Sequence, residues 1–273
     1  MASNPVLTKL EAPTAASGAS GASSQPISTT SGLPPAGTSG SRPVSFEPAP
    51  GSGNRYMTLD DVVVRTAAML AVIILSGSLS WALATSAAAG ALILVGVIGG
   101  LALGLYIAFT TKANALTALT YAAFEGLFLG AISRIFESAH PGIVGQAIVG
   151  TVMVAAGMLF VYRIGAIRVT PRFWRVVAGA TIGVVGLMFV DLLASFFHDG
   201  GLGLRQGGLL GIGFSLICIV VASLNLVLDF DLVERSIRRG TDEKFAWYCA
   251  FGIMVTLIWL YLEILRLLGN LRN

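Results

Sequence analysis

The sequence predicts an all-α membrane protein, a bundle of seven transmembrane helices preceded by a disordered tail. Hydrophobic residues make up 55% of the 273 residues and charged residues only 11%, whereas soluble domains carry about 25% charged residues. Apolar stretches of about 20 residues, the length that crosses the hydrocarbon core of a bilayer, recur seven times after residue 54. This composition disfavours a soluble enzyme, and a net charge of +3 is too small for a nucleic-acid-binding surface.

The first 54 residues differ in composition from everything that follows. They hold eight of the ten prolines, many Ser, Gly, Ala and Thr residues, and Phe46 as their only aromatic residue. Such a segment cannot bury enough apolar surface to offset the entropy lost on ordering. We therefore predict that residues 1–54 are a disordered Pro/Ser/Gly-rich cytoplasmic tail and that residues 55–273 form the transmembrane domain.

Seven spans with short connections predict a helical bundle in which consecutive helices are antiparallel neighbours. Each span has about the length that a membrane crossing requires. The predicted spans are 62–83, 88–109, 115–136, 143–162, 174–197, 207–229 and 245–268.

The distribution of Lys and Arg predicts the orientation, because short cytoplasmic loops carry an excess of these residues. With the N-terminus inside, ten basic residues fall on the inner side and four on the outer side. The inner set is Arg55, Lys112, Arg163, Arg168, Arg172, Arg175, Arg235, Arg238, Arg239 and Lys244, and the outer set is Arg134, Arg205, Arg266 and Arg272. We expect a cytoplasmic N-terminus and an external C-terminus.

Small residues recur at helical spacing in the second and third spans. Gly96, Gly100 and Gly104 are four residues apart and line one face of the second span, and Gly126 and Gly130 repeat this spacing in the third. In lipid, such faces allow helix backbones to approach and gain dispersion energy. We predict helix-packing contacts at these glycines.

Four acidic residues fall within the predicted spans, and ionisable residues inside a membrane are functional candidates because their insertion costs several kcal/mol. They are Glu125, Asp191, Asp229 and Glu263. Glu263 has a plausible local ion-pair partner in Arg266, three residues later.

Asp229 has no basic residue one helical turn away, and Glu125 has none either. The pairs Asp231–Arg235 and Glu234–Arg238 have i,i+4 spacing, so the sixth helix should continue beyond its apolar span toward a C-cap at Gly240. Asp229 lies one turn deeper and should face the bundle. A basic residue near the inner end of the first span, Arg65, either extends to the membrane surface or approaches Asp229.

Carboxyl groups that face each other in a bundle offer a mechanism for a pH-gated cation path. Two acids that share a buried site hold one proton more tightly, and loss of that proton makes them repel. Carboxylate oxygens are suitable ligands for calcium. Glu125 and Asp229 are therefore possible transient calcium ligands, with no tightly bound cofactor.

Three segments resemble the Bax-inhibitor/YccA-like membrane family, and the long loop between spans six and seven resembles its actinobacterial branch. The three segments are FEGLFLG at 124–130, LDFDLVE at 228–234 and LYLEILRLLG at 260–269. Together with the seven-span layout, the resemblance covers about residues 56–270 and leaves the tail outside.

The resemblance implies a seven-helix bundle with the last helix near its centre, in the bacterial inner membrane. It also implies a calcium leak gated by a pair of acids on the last two helices. The first acid corresponds to Asp229. The second position corresponds to Glu263 or to Thr256, depending on how the last span is aligned. Asp191 and Glu125 are further candidates for the path.

A second function is compatible with the same sequence. Other members of the family are described as regulators of membrane proteases or of stress-induced death, so the alternative is a non-conducting regulator that binds a membrane protease or another stress-response partner. An enzyme is disfavoured, because the sequence contains no HExxH, GxSxG or P-loop motif.

Overall fold

The computed structural model describes residues 55–84, 88–197, 203 and 208–272, and within them the chain forms seven α-helices. The helices are α1 (Leu59–Leu83), α2 (Ala89–Thr110), α3 (Ala115–Ala139), α4 (Ile143–Arg163), α5 (Pro171–Ser195), α6 (Leu209–Arg238) and α7 (Phe245–Arg272). All seven are long and apolar enough to cross a membrane. The predicted fold class is confirmed, while the tail and Arg205 lie outside the described residues.

The sixth helix extends beyond its apolar span, as its charge pattern predicts. The side chains of Asp231 and Arg235 form a salt bridge, as do those of Glu234 and Arg238. The helix ends at Arg238 and its C-cap is Arg239, one residue before the predicted Gly240, which follows with a φ of +63° that glycine adopts without steric cost. The end of α6 that carries these pairs is therefore a solvated extension of its apolar span.

Polar caps determine where α1 and α3 begin. The Thr58 side chain accepts a hydrogen bond from the backbone N–H of Asp61, and the Asp61 carboxylate accepts one from the backbone N–H of Thr58. Asn114 and Thr117 form the same reciprocal arrangement at the start of α3. These capping boxes satisfy N–H groups that have no partner within the helix.

The last helix lies at the centre of the bundle, which confirms what the family resemblance implies. It packs against α1, α3, α4 and α6. Its side chains Ala250, Met254, Leu260 and Leu265 are buried in two different apolar clusters. The fifth helix, by contrast, packs mainly against α6. Groups on α7 can therefore contact most of the other helices.

The backbones of α1 and α3 approach each other closely at Gly77 and Gly130. A Cβ atom added to Gly130 would overlap the carbonyl oxygen of Gly77 and lie 2.8 Å from the Cβ of Ser80. The Ser80 hydroxyl donates a hydrogen bond of 2.6 Å to the backbone carbonyl of Leu127. Small residues on both helices therefore permit a contact that larger side chains would prevent.

The segment before α1 is held against the connection between α6 and α7. The backbone N–H of Met57 donates to the carbonyl of Thr241, and that of Glu243 donates to the carbonyl of Arg55, both at 2.9 Å. The Arg55 guanidinium forms salt bridges with Glu243 and Asp61. The start of α1, the end of α6 and the start of α7 are thereby joined.

Candidate functional site

The carboxyl group of Asp229 lies in the interface between α6 and α7. Its Oδ2 atom accepts a hydrogen bond of 2.6 Å from the hydroxyl of Thr256. A Cβ atom added to Gly252 would lie 3.3 Å from Oδ1, so the glycine leaves room for the carboxyl group against the α7 backbone. An acid on one helix thus meets a hydroxyl and an open backbone surface on the next.

The Thr256 hydroxyl has two acceptors within reach but only one proton to donate. The second acceptor is the backbone carbonyl oxygen of Gly252, one turn earlier on α7, at 3.2 Å. Threonine commonly forms this backbone hydrogen bond in helices. The hydroxyl can therefore turn from the Asp229 carboxyl to its own helix without leaving an unsatisfied donor.

Within the described residues, no cationic side chain is among the groups nearest to the Asp229 carboxyl. On α7, the buried Cys249 thiol lies near the Asp229 carboxyl group. Arg65 of α1 is directed elsewhere: its guanidinium lies 2.9 Å from the Glu243 carboxylate and 5.5 Å from the centre of the Trp247 ring. Of the two predicted positions for Arg65, the approach to Asp229 is wrong.

Glu125 lies on α3 and is packed against α2. A Cβ atom added to Gly100 would lie 2.7 Å from Oε1 of Glu125, so the carboxyl group fits over this glycine. The side chain of Tyr121, one turn earlier on α3, lies near this carboxyl group. Glu125 is therefore a half-buried acid held between two helices rather than a residue on the lipid-facing surface.

Two further glycines of α2, Gly96 and Gly104, lie on the same face and also contact α3. A Cβ atom added to Gly96 would come within 2.8 Å of the backbone of α3 at Phe124 and Phe128. One added to Gly104 would lie 3.4 Å from the ring of Tyr121. This face therefore brings α2 close to the helix that carries Glu125.

Glu263 on α7 and Asp191 on α5 are both buried. Glu263 is 1% exposed, and its Oε2 atom lies 3.2 Å from the Arg266 guanidinium, as the spacing of these residues suggests. Asp191 on α5 is 2% exposed. Glu263 is seven residues beyond Thr256, a rise of roughly 10 Å along α7. Thr256, and not Glu263, is thus the residue that contacts Asp229.

The family model described as Bax inhibitor 1 like matches residues 4–273. The chain belongs to the Bax inhibitor 1 like family. The match also covers most of the N-terminal tail, which the sequence resemblance over residues 56–270 left outside. No curated protein matches the chain.

In this Bax inhibitor 1 like protein, the candidate acids lie on four different helices. Within the described residues, no three His, Cys, Asp or Glu side chains come together as a metal site.

The sequence did not predict the roles of two residues that position the candidate groups in this Bax inhibitor 1 like protein. Gly252 opposes the Asp229 carboxyl, and its spacing of four residues before Thr256 was the available signal. Glu243 is the partner of Arg65 although 178 residues separate them. No local pattern indicates a contact of that range.

Proposed function

We propose that this protein forms a pH-sensitive leak for calcium or a similar cation, with Asp229 as its gate residue. The observation that carries the proposal is the hydrogen bond between Asp229 and Thr256 at the α6–α7 interface. An ionisable group within a transmembrane helix is costly to retain, and this one lies on the helix that packs against the central helix α7.

The charge of Asp229 determines how the two helices interact. The ionised carboxylate accepts the Thr256 proton in a charge-assisted hydrogen bond and offers oxygen atoms to a hard cation. The protonated carboxyl no longer attracts a cation. The Thr256 hydroxyl then donates to the Gly252 carbonyl, which is already within 3.2 Å. Flux should therefore increase as the pH rises and Asp229 ionises.

Glu125 supplies a second polar point in the proposed path. Its helix α3 and the Asp229 helix α6 both pack against α7, so a cation that moves along the central helix can meet both acids. The contact of the carboxyl with Tyr121 and with the surface over Gly100 keeps it within the bundle. Thr256 stands in this chain where the family resemblance implies a second acid on the last helix.

Replacing Asp229 by asparagine is expected to abolish the pH dependence of calcium flux. Asparagine retains the size and can still accept the Thr256 hydrogen bond, but it carries no charge at any pH. The ionised fraction of a single carboxyl changes by up to about tenfold per pH unit, so wild-type flux should rise steeply over its titration. Calcium entry into proteoliposomes, followed with a trapped dye from acidic to mildly alkaline pH, measures the effect.

Asp231→Asn is the matched control for this experiment. Asp231 is an acid on the same helix, two residues later, and it forms a salt bridge with Arg235. Its variant should retain the wild-type pH profile. Thr256→Val removes the hydroxyl at nearly constant volume and should alter the profile without abolishing flux. An unchanged pH profile in Asp229→Asn would exclude the gate assignment.

The alternative function, a non-conducting regulator that binds a membrane protease or another membrane protein, is supported by a different helix. On α5, Cβ atoms added to Gly179, Gly183 and Gly186 would meet no atom within 4 Å. Such open small-residue positions favour contact with another helix.

The calcium-flux assay in proteoliposomes distinguishes the leak from the regulator. Absence of flux, together with a stoichiometric protein partner recovered by crosslinking in native membranes, would favour the regulator.

We also propose that the protein resides in a bacterial inner membrane with its N-terminal side in the cytoplasm. The basic residues that the structure describes are concentrated at the end of the bundle where α1, α3, α5 and α7 begin, and cytoplasmic loops carry such an excess. A cysteine introduced at Arg168 should react with an impermeant thiol reagent only after cells are opened. Labelling in intact cells would show the opposite orientation, with the N-terminal side outside.

A further inference from the structure

A cluster of arginines occupies the connection between α4 and α5. All four side chains are exposed. The sequence contains no acidic residue between Glu137 and Asp191, so neither helix has a carboxylate near the cluster. We refer to the cluster as the α4–α5 arginine patch; its members are Arg163, Arg168, Arg172 and Arg175.

Most acidic groups at this end of the bundle already have basic partners. Glu234 binds Arg238 and accepts a hydrogen bond from Tyr162, and Asp231 binds Arg235. The remaining salt bridges at this end are Arg55–Asp61, Arg55–Glu243 and Arg65–Glu243. Within the part of the chain that the structure describes, none of the patch arginines lies in a salt bridge. The patch is therefore an uncompensated positive charge.

The start of α5 adds a second positive contribution. The helix begins at Pro171, and Thr170 caps it by accepting a hydrogen bond of 3.1 Å from the backbone N–H of Phe173. Helix N-termini carry a partial positive charge and favour acidic residues. The first turn of α5 contains no acidic residue but holds Arg172, with Arg175 just beyond it. This unfavourable arrangement is relieved when an external anion lies among these groups.

The same surface exposes apolar side chains beside the charges. Trp174 is 55% exposed and lies between two of the arginines, and Ile164 is 60% exposed. Tryptophan is enriched at the level of the lipid headgroups, where one side of its ring is apolar and the other is hydrated. The combination of arginines with an exposed tryptophan fits a lipid surface better than a soluble polyanion.

We propose that the α4–α5 arginine patch binds the phosphate groups of anionic phospholipids at the membrane surface. The guanidinium group matches phosphate by donating two parallel hydrogen bonds, and clusters of four or more basic residues next to a transmembrane helix bind anionic lipids. The patch consists of residues of α4, of α5 and of their connection, and it shares no residue with the proposed gate. The proposal is therefore independent of whether the protein conducts ions.

Native mass spectrometry of the full chain, purified in an uncharged detergent and titrated with single lipids, tests this proposal. Phosphatidylglycerol should bind the wild-type protein more tightly than phosphatidylcholine. The variant Arg163→Gln/Arg168→Gln/Arg172→Gln should lose about fivefold in phosphatidylglycerol affinity for each arginine removed, the ratio expected for a basic residue near an anionic surface. Its affinity for phosphatidylcholine should remain unchanged.

The matched control is Lys112→Gln/Arg239→Gln/Lys244→Gln, which removes the same charge from exposed positions at the same end of the bundle. It should bind phosphatidylglycerol as the wild type does. The variant Arg163→Lys/Arg168→Lys/Arg172→Lys retains the charge but cannot donate two parallel hydrogen bonds to one phosphate, so it should bind phosphatidylglycerol more weakly than the wild type and more tightly than the glutamine variant. It also provides a test should the glutamine variant not fold.

Three results would overturn the proposal. The first is equal phosphatidylglycerol affinity in the wild type and the glutamine variant. The second is an equal loss in the Lys112→Gln/Arg239→Gln/Lys244→Gln control, which would mean that only total charge matters. The third is displacement of the lipid by inorganic phosphate or by an acidic peptide at a lower concentration than phosphatidylglycerol itself requires.

Discussion

Replacing Gly130 by alanine is expected to destabilise the bundle by about 1–3 kcal/mol or more, the cost of overpacking a tight contact. The added methyl group would overlap the carbonyl oxygen of Gly77, which belongs to the α1 backbone and cannot rotate away. The two helices must separate, which also weakens the hydrogen bond from Ser80 to the Leu127 carbonyl. Equilibrium unfolding in mixed detergent micelles, followed by circular dichroism, measures the loss.

Gly183→Ala is the control for this substitution. Gly183 is also within a transmembrane helix, but a Cβ atom added there would meet nothing within 4 Å. Alanine is favoured over glycine in helices by about 0.5–1 kcal/mol, so this variant should be at least as stable as the wild type. Equal stability of both alanine variants would show that α1 and α3 are not in close contact.

Replacing Arg266 by methionine is expected to cost about 3–5 kcal/mol of stability, the range for removing one member of a buried ion pair. Glu263 is 1% exposed and lies 3.2 Å from the Arg266 guanidinium, which is itself mostly buried. Loss of the guanidinium leaves this carboxylate without that cation in a poorly solvated position. The same unfolding assay reports the effect.

The double variant Glu263→Gln/Arg266→Met should recover much of the loss, because it removes both charges together. Arg238→Met is a matched control, since Arg238 forms a similar pair with Glu234 on the exposed end of α6. Exposed helix pairs contribute only about 0.3–0.5 kcal/mol. If Arg266→Met lowers the free energy of unfolding as little as Arg238→Met does, the burial of the Glu263–Arg266 pair makes no contribution to stability.

The sequence predicts the helices of this protein well because lipid imposes a strict requirement on them. Each span must supply about 20 apolar residues and satisfy its own backbone, so composition alone indicates where the helices lie. The extension of α6 was also predictable, since the Asp231–Arg235 and Glu234–Arg238 pairs indicate a helix in water.

The candidate site was only partly predictable, because its contacts depend on how helices are shifted along one another. A shift of α7 by two turns exchanges Thr256 for Glu263 beside Asp229, and both alignments were compatible with the sequence. Local spacing indicates the Glu263–Arg266 pair, which lies within one helix. It gives no information on Arg65 and Glu243, which the fold brings together across 178 residues.

The central position of α7 has a consequence for biogenesis, because the ribosome makes this helix after the other six. Until it is inserted, Asp229 on α6 lacks the Thr256 hydroxyl, and Ser133 on α3 lacks the Tyr261 hydroxyl that lies 2.7 Å away. A chain interrupted after α6 would present these polar groups to lipid. Membrane quality control that detects exposed polar groups would therefore distinguish unfinished chains from completed ones.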